Sequence, residues 1–265
     1  MEHPENIQLK YPVVLVHGIG AHDRKGPVKF WGRIPQMLEN KNLQVFRGNT
    51  DAWGNYESNA LLLKETIEKI LLDTKKEKVN IIAHSKGGID SRFFIWKHNF
   101  AEKIASLTTI CTPHHGSEIA DLLHKQKIVH TKFSKKALRI FGSIYGDINP
   151  DLYAANSQLT TENMKKFNRD IVLDKKVYHQ SFYTTMKNAF DDVMFFYSYL
   201  YLKKTAGKND GVVSARSAEW GDNIVHLANG VSHGEILDLK MKTVSGIHIP
   251  GLYLDIIKNL EKKGF

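Results

Sequence analysis

Short apolar runs alternate with helical spacings along the first 115 residues of the chain. Each run is typical of a strand that is buried on both faces of a parallel sheet: Val13 to Val16, Leu43 to Phe46, Val79 to Ala83 and Ile104 to Thr112. Helical spacing extends from Ser58 to Leu72, with Ser58 as the expected N-cap, and Gly88 to His98 predicts a second helix. This alternation predicts the α/β class, with a mostly parallel central sheet flanked by helices.

The pattern changes between residues 117 and 174. Lysines, short helical stretches and a loop-like segment replace the strands there, and we interpret this part as a helical cap or lid inserted over the carboxyl edge of the sheet. Farther on, Val177 to Thr184 and Ile224 to Ala228 predict strands. Asp192 to Lys204 is densely aromatic and predicts a buried helix, and Leu252 to Lys262 predicts a closing amphipathic helix. We therefore expect one domain over residues 1–265 that contains the cap at 117–174.

Composition narrows the class of protein. The chain has 265 residues, 42% of them hydrophobic, and a formal net charge of +9. The basic residues are scattered without alternating aromatic residues, so we expect a solvated, lysine-rich surface and no nucleic-acid partner. The segment Met1 to Leu9 lacks an apolar core and holds two glutamates, which does not resemble a secretory signal. Together with the lack of an 18-residue apolar stretch, this favours a cytoplasmic protein, although a longer, secreted precursor is compatible with it.

Ser85 is the candidate nucleophile. It lies in Ala83-His84-Ser85-Lys86-Gly87, after a predicted strand and before a predicted helix, and such a turn projects a serine Oγ free of the sheet. The positions two before and two after the serine must be small because strand and helix pass closely, and Ala83 and Gly87 satisfy this. The alternative interpretation is an ordinary helix N-cap serine.

A nucleophilic serine needs a base, and the base needs an orienting carboxylate. In the fold class that carries its nucleophile on such a strand-to-helix turn, the residues follow in the chain order nucleophile, acid, base. Asp210 in Asn209-Asp210-Gly211 is the candidate acid, with Asp222 as the alternative. His233 follows the last predicted strand and is the candidate base, with His248 as the alternative.

The reaction of such a serine also requires backbone donors for an oxyanion. We assign them to the N–H groups of Ile19, which follows the first strand, and of Lys86, which follows the nucleophile. The lone cysteine, Cys111, has no partner for an internal disulfide and is expected to be a reduced, buried thiol. The pair His114-His115 lacks the spacing of a metal site, so we expect no metal and no cofactor.

Together these segments resemble the bacterial triacylglycerol lipases of the α/β-hydrolase superfamily, some of which are secreted and calcium-dependent. The resemblance depends on four segments: Tyr11-Pro-Val-Val-Leu-Val-His-Gly18, Val79-Asn-Ile-Ile-Ala-His-Ser85-Lys-Gly-Gly88, Ser106-Leu-Thr-Thr-Ile-Cys-Thr-Pro-His-His-Gly-Ser117 and Asn209-Asp210-Gly211-Val-Val. It implies hydrolysis of carboxylic esters through an acyl-enzyme, favours Asp210 and His233 over their alternatives, and implies that the insertion is a lid whose apolar face meets lipid. A lipid or small acyl ester is the expected substrate, and transient contact with a membrane or lipid interface is expected.

The same residues are compatible with other acyl chemistry. An acyltransferase, a phospholipase, a thioesterase or an amidase could use this set, and a non-catalytic binding protein on the same scaffold is a more remote alternative. The aromatic stretch from Phe195 to Tyr201 is expected either to line the acyl pocket or simply to pack in the core.

Two positions depart from the resembled family. Calcium-binding members carry an aspartate two residues after the catalytic histidine, where this chain has Glu235, and no second carboxylate for such a site is evident from the sequence. Lys86 stands where many relatives have a neutral or imidazole side chain. Its charge is expected either to favour anionic substrates or to extend into solvent.

Overall fold

A single parallel sheet forms the centre of the molecule. The computed structural model describes residues 7–20, 30–125 and 146–265. Within them six strands pair in the order β2-β1-β3-β4-β5-β6, every pair parallel: β1 Val13–Val16, β2 Val45–Arg47, β3 Val79–His84, β4 Ile104–Ile110, β5 Tyr178–Thr185 and β6 Ile224–Asn229. The strand order reverses between β1 and β3, and ligands of open α/β sheets bind at the carboxyl edge beside such a reversal.

Helices cover the sheet on both sides, as the alternating pattern predicts. The described helices are α1 Ile34–Glu39, α2 Tyr56–Thr74, α3 Lys86–Lys97, α4 Glu118–Lys125, α5 Leu152–Gln158, α6 Thr161–Asp170, α7 Phe196–Thr205, α8 Ala215–Ala218 and α9 Ile249–Lys262. The prediction that Ser58 is the N-cap of α2 was wrong by about one turn. The side chain of Asn55 caps α2 and accepts a hydrogen bond from the Ser58 N–H at 2.8 Å.

The strands separate two hydrophobic clusters. Val14 and Val16 join the cluster beneath α2 and α3, while Val13 and Leu15 join the cluster beneath α1 and α9. Successive side chains of a strand point to opposite faces, so β1 is buried on both. The α/β class and the flanked parallel sheet are therefore confirmed.

The segment predicted to be a cap is helical where the structure describes it. It contains α4, α5 and α6, while residues 126–145 of it lie outside the described residues. Met164 and Phe167 of α6 belong to the cluster beneath α2 and α3, so part of the insertion is core. Arg92 of α3 fixes α6 by donating to Asn168 Oδ1 at 2.9 Å and by stacking on Phe167. Movement of the cap as a lid stays a prediction.

The aromatic stretch forms the predicted helix, but the prediction that this helix is buried was wrong. A short 3₁₀ turn, Val193–Phe195, precedes α7. Tyr199 and Leu202 of α7 are buried, whereas Tyr197 is 85% exposed. The stretch follows β5 directly and lies at the carboxyl edge of the sheet, where only one of its sides meets the core. No helix among the described residues is long and apolar enough to cross a membrane.

Candidate active site

Ser85 occupies a strained turn between β3 and α3. Its backbone has φ 53° and ψ −130°, a conformation that non-glycine residues seldom adopt and that clusters at functional sites. The sharp turn brings α3 against neighbouring backbone and side chains. A Cβ atom on Gly87 would collide with the carbonyl oxygen of His17, and one on Gly88 with the Thr112 side chain. Small residues are therefore a steric requirement at the start of α3.

Three of the predicted residues converge at the carboxyl edge. Ser85 Oγ lies 3.0 Å from His233 Nε2, and Asp210 Oδ2 lies 2.8 Å from His233 Nδ1. A carboxylate only accepts hydrogen bonds, so Nδ1–H donates to Asp210 and Nε2 is left to accept from the serine hydroxyl. All three are buried, with Ser85 and His233 retaining exposed fractions of 9% and 8%. The structure thus joins residues that are 148 and 23 positions apart.

Backbone hydrogen bonds hold the acid in place. Asp210 Oδ1 accepts from the N–H groups of Val212 at 2.9 Å and Val213 at 2.7 Å, and the His233 N–H donates to the Asp210 carbonyl at 2.9 Å. Oδ2 is therefore free to face the imidazole. The two alternatives lie elsewhere: Asp222 is exposed just before β6 begins, and His248 is exposed just before α9.

The loop after β1 passes directly beside the nucleophile. A Cβ atom on Gly18 would lie 2.7 Å from Ser85 Cβ and 3.3 Å from Ser85 Oγ. The His17 ring fixes this loop through contacts of 2.8 Å with the Gly18 carbonyl and 3.0 Å with the Thr50 carbonyl. Lys86 is the first residue of α3, where backbone N–H groups have no intrahelical acceptor. The backbone at Gly18, which directly precedes Ile19, and at Lys86 thus flanks Ser85. The oxyanion role of the Ile19 and Lys86 N–H groups stays a prediction.

The expectation for the Lys86 side chain was wrong. Lys86 is 2% exposed, and its Nζ lies 2.5 and 2.8 Å from the two carboxylate oxygens of Asp90. Asn59 also donates to Asp90, at 2.8 Å. Burial raises the pKa of Asp90, against the lowering effect of the Lys86 charge. The lysine charge therefore faces neither substrate nor solvent.

This buried pair belongs to a longer polar chain. Asn59 exchanges hydrogen bonds with the backbone of Asp51, whose carboxylate accepts from the N–H groups of Ile148 at 2.9 Å and Asn149 at 2.6 Å. These two residues follow the undescribed part of the insertion. The serine turn is thus linked through side chains to the irregular segment 146–150 of the predicted cap.

Two buried groups stay neutral beside Ser85, His233 and Asp210, which together form the candidate triad. Burial and the adjacent His233 hold the pKa of His84 well below its usual value, and the His84 ring contacts the His233 carbonyl through Nε2 at 3.1 Å. Burial and the Asp210 charge raise the pKa of Cys111 well above its usual value. Potential metal-ligating atoms of Cys111, Asp210 and His233 lie within 4.8 Å of one another. However, a protonated thiol is a poor metal ligand, and Asp210 and His233 are already hydrogen-bonded to each other.

The loop that carries His233, residues 230–240, holds an ionic group that the sequence did not reveal. Glu235 is buried and binds the Lys240 ammonium at 2.8 Å, and Asp192, which precedes the 3₁₀ turn, lies 3.5 Å from the same ammonium. Asp192 stands 43 positions before Glu235 in the chain, and no spacing signal connects the two. Asp90, by contrast, is one helical turn after Lys86, so that pair could have been found from the i,i+4 spacing.

Comparison with known proteins identifies the family of the chain. A sequence model of the palmitoyl protein thioesterase family matches residues 12–220. Triacylglycerol lipase 2 of Saccharomyces cerevisiae is 30% identical over 260 residues, which cover 90% of this chain and 75% of the yeast protein. The chain belongs to the lipase-like α/β-hydrolases. Its sequence family is the one described as palmitoyl protein thioesterase, and it is a hydrolase of the lipase and esterase type.

Bacterial relatives extend the likeness. The triacylglycerol lipase of Pseudarthrobacter phenanthrenivorans is 32% identical over 175 residues, which cover 61% of this hydrolase and 54% of that lipase. This hydrolase thus spans about half the length of that bacterial lipase. The crystal structure of Staphylococcus hyicus lipase has a TM-score of 0.75 at 17% identity, with 99% of this chain and 98% of that chain covered. At this identity the structural likeness concerns the fold.

Proposed function

We propose that the protein is a serine carboxylic-ester hydrolase that cleaves lipid acyl esters through an acyl-enzyme. The observation that carries this proposal is the continuous hydrogen-bond chain from Ser85 Oγ through His233 to Asp210, with lengths of 3.0 and 2.8 Å. Nucleophile, base and orienting acid are thus within reach of one another in the order that acyl transfer requires.

In the first half of the reaction, His233 Nε2 takes the proton of Ser85 as Oγ attacks the ester carbonyl. Asp210 stabilises the resulting imidazolium through Nδ1–H. Nε2–H then gives the proton to the departing alcohol, and an acyl group remains on Ser85. Water, activated by the same histidine, releases the carboxylic acid and restores the serine.

The negative charge of each tetrahedral intermediate needs fixed donors. We assign the N–H groups of Ile19 and Lys86 to this role because the two backbone segments flank Ser85 and because, among the described residues, neither N–H takes part in the hydrogen bonding of a helix or strand. Losing one such donor typically costs about 10²–10³ in kcat.

A test uses p-nitrophenyl esters of increasing acyl length. We expect wild type to hydrolyse them with a preference for longer chains, and Ser85→Ala to lose the activity by several orders of magnitude. A fluorophosphonate probe should label wild type at Ser85 and leave Ser85→Ala unlabelled. Hydrolysis that persists in Ser85→Ala would refute the assignment.

An exposed apolar ridge supports a lipid substrate. Phe190, Val193, Met194 and Tyr197 have exposed fractions of 75–85%. The ridge follows β5 directly and therefore lies at the same sheet edge as the triad, and Phe195 between its members contacts Gly211, one residue after Asp210. Clusters of exposed large apolar side chains mark interaction surfaces, and we propose that this ridge rests on the lipid phase.

Vesicle flotation tests the ridge. Tyr197→Ser should reduce binding to phosphatidylglycerol vesicles while leaving hydrolysis of a short, soluble ester unchanged. Leu72→Ser is the matched control, because Leu72 is 77% exposed near the end of α2, and a helix antiparallel to the strands ends at the opposite edge of the sheet. Equal binding by the two variants would contradict the role of the ridge.

Thioester hydrolysis is the second candidate, favoured by the match to the palmitoyl protein thioesterase family over residues 12–220. The same nucleophile and base serve both reactions, since only the leaving group changes from alkoxide to thiolate. Comparing kcat/KM for an oxygen ester and a thioester of the same long acyl chain distinguishes the two. The second candidate is favoured if the ratio of kcat/KM for the thioester to kcat/KM for the oxygen ester far exceeds the ratio of their uncatalysed hydrolysis rates.

A further inference from the structure

One ammonium lies between two buried carboxylates beside the candidate base. Lys240 Nζ is 2.8 Å from Glu235 Oε1 and 3.5 Å from Asp192 Oδ1. Glu235 and Asp192 are 4% and 6% exposed, whereas the Lys240 side chain is 42% exposed and approaches from the surface. The burial of two like charges is tolerable only because a cation compensates them.

Ser232, which directly precedes the base, completes a closed hydrogen-bond ring with this group. Its hydroxyl donates to Asp192 Oδ2 at 2.7 Å and accepts from the Glu235 N–H at 3.2 Å, and its own N–H donates to Glu235 Oε2 at 3.2 Å. His233 is thus the backbone neighbour of a residue held from both sides. A displacement of the two carboxylates would therefore move Ser232 and, through the shared backbone, His233.

The resemblance to calcium-dependent lipases makes the fit to a divalent cation a relevant question. Calcium takes six to eight oxygen ligands, and the oxygens here are already used: one carboxylate oxygen of each acid faces the Lys240 ammonium and the other accepts from Ser232. The Lys240 ammonium has three N–H donors and can therefore satisfy the carboxylate oxygens that face it. The residues present do not fit calcium between Asp192 and Glu235.

We propose that Lys240 is a positioning residue for the base: its ammonium is a built-in cation that holds the His233 loop against the Asp192 turn, in place of a bound metal ion. The proposal rests on the proposed hydrolase function for its kinetic consequence. The mechanical link is independent of that function, since it concerns only how the loop is fixed. Because the cation is covalently part of the chain, its presence does not depend on the ionic composition of the medium.

Lys240→Met tests the proposal, with Lys166→Met as the matched control. Lys166 forms an ion pair of the same 2.8 Å length with Glu162, but both partners are exposed. Because a small displacement of a catalytic group can cost about 10²-fold, we expect kcat of Lys240→Met on a soluble ester to fall by about 10- to 100-fold with KM nearly unchanged. Fluorophosphonate labelling of Ser85 should slow in parallel, and Lys166→Met should behave as wild type in both assays.

Rescue and metal addition complete the test. Lys240→Arg keeps the charge and should retain most of kcat, and neither calcium chloride nor a chelator should shift the Tm of wild type. The proposal is overturned if folded Lys240→Met keeps kcat within about twofold of wild type, or if calcium raises the wild-type Tm. Should Lys240→Met fail to fold, Lys240→Gln, which keeps a donor and loses the charge, provides the same comparison. Loss of activity in Ser85→Ala with normal kcat in Lys240→Met would leave the hydrolase function standing and refute this inference alone.

Discussion

The buried pair of Lys86 and Asp90 gives a quantitative prediction about the nucleophile turn. At 2.8 Å and an effective dielectric constant of about 20, two unit charges attract by about 6 kcal/mol, but burying both charges offsets much of this. Removing one partner from a buried pair costs about 3–5 kcal/mol, because the other charge stays buried and uncompensated. Lys86→Met should therefore lower the free energy of unfolding by about that amount.

Asp90 determines how this loss depends on pH. Without the ammonium, burial raises the pKa of Asp90 further, and the carboxyl group takes up a proton in the folded state. The folded form then binds more protons than the unfolded form above pH ~4. The destabilisation of Lys86→Met relative to wild type should thus be small near pH 4 and grow as the pH rises toward 7.

Urea unfolding followed by far-UV circular dichroism measures these differences. Lys69→Met is the control, since Lys69 and Asp73 have the same i,i+4 spacing on α2 but are exposed, and such pairs contribute less than about 1 kcal/mol. The double variant Lys86→Met/Asp90→Leu removes both charges and should recover most of the loss. The reasoning is refuted if Lys86→Met lowers the free energy of unfolding no more than Lys69→Met does. It is also refuted if the double variant lowers this free energy by the sum of the losses measured for Lys86→Met and Asp90→Leu separately.

Three further outcomes follow from the structure. Gly18→Ala should abolish ester hydrolysis while the protein still folds, because the new Cβ lies 2.7 Å from Ser85 Cβ; full activity would contradict the close approach of this loop. Burial alone would raise the pKa of Asp238, but three hydrogen bonds from Arg33 outweigh it and lower the pKa. The stability that this pair contributes is therefore full above pH ~4 and is lost as the pH falls below it, so urea midpoints of wild type and Arg33→Gln should differ at neutral pH and converge in acid. Iodoacetamide should leave native Cys111 unmodified and label it only in urea, since the thiol is buried with a raised pKa; labelling of the folded protein would show that the site opens.

Much of the fold follows from local pattern. Short apolar runs bounded by turns locate strands because a strand buried on both faces needs apolar side chains at every position, and β1 has the predicted bounds. Helix ends follow less directly from local pattern. Asn55 rather than Ser58 caps α2, since several polar residues near a helix start can accept hydrogen bonds from the same backbone N–H groups. The helix in the aromatic stretch was predicted correctly, but its burial was misjudged. A high aromatic content does not distinguish a helix in the core from one that presents an exposed apolar ridge.

By itself the sequence determined the serine turn and the order of the residues that follow it. The turn at Ser85 requires small residues around it, a strand before it and a helix after it. These are steric constraints between residues that are neighbours in the sequence, so the sequence alone reveals them. Only the tertiary structure decided what each charge does. Lys86 is buried and paired with Asp90, which also accepts a hydrogen bond from Asn59. Lys240 compensates Glu235 together with Asp192, a residue from a different part of the chain. Electrostatic energy depends on distance and burial in space, and these are fixed only when segments far apart in sequence pack against one another.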